Sequence, residues 1–329
     1  MTTTIIKELL PWINKDKLIW SSLSSNPNAI HLLEQNPDKI SWRELSSNPN
    51  AIYILEQYYY YDKICFKSLS KNPNAIHLIE KYLSGKTPIK KQILTNDGTE
   101  NALPSDVFEN NFYYNKLKST EINEIDWKNL SSNPNAIHIL EQNPDKINWA
   151  SICLNNNAMH IIEKNFNKFN IDDINWYFLS GNPNAIHILE QNPDKINWSV
   201  LSGNPNAIHL LEQNQDKIDW SILSSNPNAI HILEQNIDKI SWRELSGNPN
   251  AIHLLEQNPD KIYWRELSSN PNAIHLLEQY PDKIDWNILS WNINAVNLLE
   301  KNQDKIQWAD LSSNPSIFYD VIGHVFCNV

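Results

Sequence analysis

The pattern of apolar and polar residues along the chain repeats at every twenty-second position. A large aromatic marks the period: Trp20, Trp42, Phe66, Trp127, Trp149, Trp176, Trp198, Trp220, Trp242, Trp264, Trp286 and Trp308. Eight of the eleven successive gaps equal that period, and the other three are 24, 61 and 27. With the aromatic as position 0, the unit reads W-x-x-L-S-x-N-P-N-A-I-H-L-L-E-Q-N-P-D-K-I-x. Asn-Pro at positions 6 and 7 predicts a helix start, because Asn suits an N-cap and Pro the first helical residue. Ala, Ile and Leu at positions 9, 10 and 13 then share one face of a helix of about nine residues. This is the His helix, named for its residue at position 11. The residue before each Trp is mostly Ser, Asp or Asn, as at Ser41, Asp219 and Asn197. It predicts a second, shorter helix carrying Trp and Leu three apart, the Trp helix. Ser241-Trp-Arg-Glu244 matches a capping box there.

Two short helices cannot bury their apolar faces alone, but stacked copies share a continuous core. The predicted fold is all-α, a right-handed α-solenoid of about twelve two-helix units. At helix spacings of about 8–10 Å it would span roughly 100–120 Å. A leucine-rich-repeat horseshoe is the alternative, since its repeats can have the same period. The unit lacks the L-x-x-L-x-L alternation that a horseshoe needs.

The ends depart from the unit. Residues 1–19 read as an N-terminal cap, in which Asn14-Lys-Asp-Lys-Leu18 stands for N-P-D-K-I. Residues 20–329 form the solenoid, and 308–329 a more apolar C-terminal capping unit. Its tail, with Val325, Phe326 and Val329, would fold over the last unit or meet another chain. All three insertions fall between the His helix and the D-K-I segment: two residues within Tyr58–Tyr61, five at Phe166–Asn170, and 39 at Leu83–Glu121. The long one, residues 83–121, is either a functional or a mobile excursion. Its Ser84-Gly-Lys-Thr87 is no P-loop, because Glu80 stands where a glycine is required.

Composition narrows the function. Lys+Arg is 27 against 38 Asp+Glu, a net charge of -11, which argues against a general nucleic-acid binder. Each standard unit carries about one negative charge, so the acidity is distributed along the array. No apolar run is long enough to cross a membrane. The first residues lack the features of a secretory signal. Three cysteines without metal or redox spacing suggest a reducing, cytoplasmic setting.

Nine of the ten histidines occupy position 11: His31, His77, His138, His160, His187, His209, His231, His253 and His275. Zinc ligands must lie about 2.0–2.1 Å from the ion, and one His with one Glu per unit is too few, so no metal or other cofactor is expected. The column reads as a structural ladder between units or as a recognition stripe. Catalysis finds no support, since every candidate acid, base or nucleophile is repeated along the array. Cys153 near His160 reads as packing. The positions that vary are 1, 2, 5 and 21, with Arg43, Glu44, Lys67, Tyr177, Phe178, Arg243, Glu244, Tyr263, Arg265, Glu266 and Trp291. Variation on a fixed scaffold is how repeat proteins diversify a binding face, and these residues are the candidate partner-binding set. Tolerant surface sites would give the same pattern.

The unit L-S-x-N-P-N-A-I-x-L-L-E-x-N-P-D-K-I-x-W resembles a repeat of proteins encoded by giant DNA viruses of amoebae, the mimivirus-like group. The resemblance covers nearly the whole chain and brings no catalytic residues. It implies a repeat protein that meets host or viral proteins, in the host cytoplasm or the virion. The expectation is a non-enzymatic scaffold for protein–protein interaction. The alternative is an assembly component that self-associates through its C-terminal end.

Overall fold

The protein is described from a computed structural model, covering residues 2–59, 63–84, 124–165 and 174–325. Most of the long insertion and residues 166–170 lie outside the described residues, as do Phe326 and Val329 of the tail. A standard unit holds two α-helices and a 3-10 turn. In the unit of Trp220 these are the Trp helix Trp220–Ser225, the His helix Ile230–Glu234 and the turn Ile237–Lys239. Helices of five or six residues are far shorter than the ~12–15 that an isolated helix needs, so stacking holds them. Leu223, Ala229 and Leu233 are fully buried, and their equivalents recur through one continuous core. The architecture is a helical repeat solenoid. Among the described residues, strand occurs only in a ribbon between the two ends of the chain, so the units cannot build a leucine-rich-repeat horseshoe.

The His helix differs from its expected form. It starts at Ile, three residues after the Pro, and most copies run five to seven residues. The position-6 Asn does not cap it. In the unit of Trp242, Asn248 Oδ1 accepts the Asn250 N–H at 3.0 Å, closing an Asx turn. Its Nδ2 donates to the preceding unit, to the carbonyls of Ser224 (3.0 Å) and Asn226 (3.1 Å). A side chain engaged between two units cannot also cap a helix in its own. Six Trp helices start with the expected side-chain cap: Asp126, Asn148, Asn175, Asn197, Asp219 and Asp285 each accept an N–H of the first turn, whereas Ser41 makes no such bond. Ser241 caps nothing with its side chain, so the capping box there does not form.

Four more contacts tie each unit together or to the next. Ser224 Oγ donates to the Trp220 carbonyl (2.7 Å) and accepts the Ser241 N–H of the next unit (3.0 Å). Asn250 Nδ2 donates to the Pro227 carbonyl at 2.9 Å. The Lys239 ammonium lies 4.5 Å from the centre of the Trp220 ring, covering a half-buried indole with its own unit's cation.

The same bonds join the last unit to the first. Asn26 Nδ2 donates to the carbonyls of Ser312 (3.0 Å) and Asn314 (3.1 Å), and Asn28 Nδ2 to that of Pro315 (2.9 Å). The Ile19 N–H donates to Ser312 Oγ at 2.9 Å. The Trp helix Trp20–Ser25 packs on Trp308–Ser313 as it packs on Trp42–Ser47. The solenoid therefore closes into a ring of twelve units. The span expected of an open array becomes a circumference.

The two ends expected as separate caps together complete the twelfth unit. Residues Trp308–Ile317 supply its first ten positions. Ile13, the turn Lys15–Lys17 and Leu18 supply its end, and Lys17 lies over Trp308 at 5.0 Å from the ring centre. Between these pieces, where other units have a His helix, strand β1 (Thr2–Leu9) pairs antiparallel with β2 (Phe318–Val325). The ribbon packs on the neighbouring His helix, Ile30–Glu34. Lys7 pairs with Asp320 across it.

Candidate functional site

Ring closure decides which surface each repeated position occupies. Neighbouring Trp helices pack directly on one another. Neighbouring His helices meet instead through long side chains, His77 with Glu56 at 2.8 Å for example. In a ring, the distance between equivalent points grows with distance from the axis. The Trp helices are therefore the inner tier and the His helices the outer one. At about 8–10 Å between Trp helices and about 10–12 Å of helix thickness, twelve units leave an opening about 20–28 Å across.

Within a Trp helix, the buried Leu at position 3 faces the core. At about 100° per residue, positions 1 and 5 lie roughly 160° from it on either side. They point away from the His helix, into the opening. Arg43, Lys67, Tyr177, Arg243 and Arg265 stand at position 1 and are exposed; Trp291 stands at position 5 and is 54% exposed. Glu44, Phe178, Glu244 and Glu266, at position 2, are half-buried at the seam with the neighbouring unit. Tyr263 is exposed just before Trp264. All three arginines of the chain are thus on the inner wall.

Close packing of the inner tier also explains the small residues at position 5. A Cβ on Gly203 would meet Ile222 Cγ2 of the next unit at 3.0 Å, and one on Gly181 would meet Val200 Cγ1 at 3.1 Å. Two of the arginines are engaged. Arg243 Nε donates to Glu266 Oε1 at 2.8 Å, and Arg265 Nε lies 4.0 Å from Asp285 Oδ2. The Glu266 hydrogen bond, then its charge, holds the Arg243 guanidinium above its ordinary pKa.

The histidine column lies on the other tier. His77, His138, His160, His187, His209, His231, His253 and His275 each place Nε2 within 2.5–3.1 Å of a Glu carboxylate of the preceding unit. His31 meets Gln35 instead (2.8 Å), because the preceding unit has the β ribbon in place of a His helix. Each of the eight pairs is about half exposed, which limits its worth. His209→Gln should change stability by less than about 1 kcal/mol, read as the shift of a urea unfolding midpoint. A larger loss would mean that the column holds the ring.

Sequence reasoning missed Lys71 and Lys128, which also point into the opening, at positions 5 and 1. Their phase in the repeat was the available signal. Cys153 occupies the Ser position of its unit, buried against the next, with Sγ donating to the Trp149 carbonyl at 3.3 Å. Burial pushes its thiol pKa up. It should therefore react with Ellman's reagent far more slowly in the folded protein at pH 7.5 than in urea. Equal rates would contradict this placement. Among the described residues, no group of three or more His, Cys, Asp or Glu could hold a metal ion, and no helix is long and apolar enough to cross a membrane.

The fold and this inner wall define a class: a closed ring of tandem helical repeats. No protein-family model, curated protein or solved structure matches the chain.

Proposed function

We propose that the chain is a non-enzymatic ring scaffold that binds a partner protein through the wall of its opening. One observation carries the reading. The repeated polar residues are engaged by the array itself: Asn at position 6 and Ser at 4 between units, His at 11 with Glu at 14, Lys at 19 over Trp. The varied residues at positions 1 and 5 are what the ring leaves exposed on its inner face. The resemblance to repeats of giant viruses would place the partner in an infected cell. Cross-linked pull-down from the native cell tests this. Wild type should recover a specific protein, and the quadruple variant Arg43→Ala, Tyr177→Ala, Arg243→Ala, Trp291→Ala should lose it while keeping its circular dichroism. Recovery of the same protein by that variant, or of none by wild type, overturns the reading.

A second reading, self-association through the end of the chain, has its own observation. Ile5 and Ile322 face each other across the ribbon and are 68% and 66% exposed. Edges and apolar faces of short ribbons favour pairing with another chain. Light scattering that shows a monomer at high concentration would sink it.

A further inference from the structure

The cations of the inner wall are unevenly placed. Arg43, Lys67, Lys71 and Lys128 belong to three consecutive units, those of Trp42, Phe66 and Trp127, and all four are exposed. Among the described residues, none of them stands within ion-pair distance of an acid, whereas Arg243 and Arg265, nearly opposite on the ring, do. The acids nearest in sequence are already engaged. Glu44 accepts the Ser41 hydroxyl, and Asp126 holds the Asn129 N–H at 3.1 Å and its amide nitrogen at 2.9 Å. In a chain of net charge -11, four exposed cations against two neighbouring acids make a net positive patch on the concave face, an exception to the charge of the array.

We infer that this quadrant of the wall binds a short, extended, acidic peptide segment of a partner protein. The inference rests on the ring-scaffold reading and names the chemistry of its partner. The spacing fits. Trp helices about 8–10 Å apart at their axes bring equivalent side chains to about 6–7 Å nearer the centre. An extended peptide repeats side chains on one face every ~6.6–6.8 Å. Acids at alternate residues would meet one unit each. A nucleic acid fits less well. Positions 1 and 5 of these three units carry Arg, Lys and Ser but no aromatic on which a base could stack. The patch also ends after three units, and beyond it the only cations at positions 1 and 5 are Arg243 and Arg265, both already beside acids, so a longer polyanion finds few further partners.

The test is fluorescence anisotropy of the full chain with a labelled ten-residue poly-glutamate peptide at low salt, with poly-glutamine as control. Poly-glutamate should bind saturably and release as salt rises, and poly-glutamine should not bind. The variant R43Q/K67Q/K71Q/K128Q should bind at least about tenfold more weakly, with R243Q/R265Q within about twofold of wild type. Equal binding by the quadruple variant, no binding by wild type, or tighter binding of a twelve-residue oligothymidylate would each overturn the inference. The two readings fail separately. A partner recovered from cells without poly-glutamate binding keeps the scaffold and removes the patch. Poly-glutamate binding without a cellular partner does the reverse.

Discussion

A chain that lacks residues 1–18 should lose about 5 kcal/mol or more of stability, because Ile13, Leu18 and the partly buried Leu9, Leu10 and Trp12 leave the core at about 1.5–3 kcal/mol per fully buried side chain. The Asn26 and Asn28 bonds to Ser312, Asn314 and Pro315 lie outside the deleted segment and still close the ring, while Trp308 loses the cover of Lys17 and the ribbon loses β1. Small-angle scattering should then keep the signature of a hollow ring although the melting temperature falls. A circular permutant provides the control. Thr2 and Val325 face each other in the ribbon, so a short turn can join them. A new start at residue 62, where insertion is already tolerated, should leave the ring within about 1 kcal/mol of wild type. Unchanged melting of the truncated chain would mean that the ends do not complete a unit.

The second large effect lies in the asparagine ladder. Asn248 is 1% exposed and satisfies three backbone groups: the N–H of Asn250 and the carbonyls of Ser224 and Asn226. Asn248→Ala orphans two of them, the Asn250 N–H and the Ser224 carbonyl, while the Asn226 carbonyl keeps the Ala229 N–H at 3.2 Å. At about 1–3 kcal/mol for each buried unsatisfied group, it should cost about 2 kcal/mol or more in urea unfolding. Asn248→Asp separates geometry from charge. Its carboxylate keeps the acceptor but turns negative charge toward two carbonyls, so its pKa in the folded protein should rise. The stability of this variant should be greatest below the unfolded carboxylate pKa and be lost as pH rises through the folded one. A cost below about 1 kcal/mol for the alanine variant would mean that apolar stacking alone sets the spacing between units.

Much of this was legible in a single unit. The Trp and Leu spacing announced the Trp helix, and the Asp and Asn before it announced the caps, because both are local signals. The start of the His helix was misplaced because Asn-Pro-Asn has a local meaning, an N-cap, and a non-local one, a clamp on the previous unit. Only the position of the neighbour's carbonyls chooses between them. The histidine column and the varied positions both recur once per unit, so periodicity alone could not separate inner from outer tier. The half-units at the two ends were visible, Asn14–Leu18 without a Trp helix and Trp308–Ile317 without a D-K-I turn. Read separately they resembled caps.

The sequence by itself determined the unit, its two helices, the buried Leu and Ala positions and the acidic charge of each copy. All of these follow from contacts within one unit or with an identical neighbour. The tertiary structure decided that the array closes. Closure depends on the small rotation between units summing to a full turn after twelve copies, and no single unit encodes that sum. Closure in turn made positions 1 and 5 the wall of an opening and gathered Arg43, Lys67, Lys71 and Lys128 on one concave side.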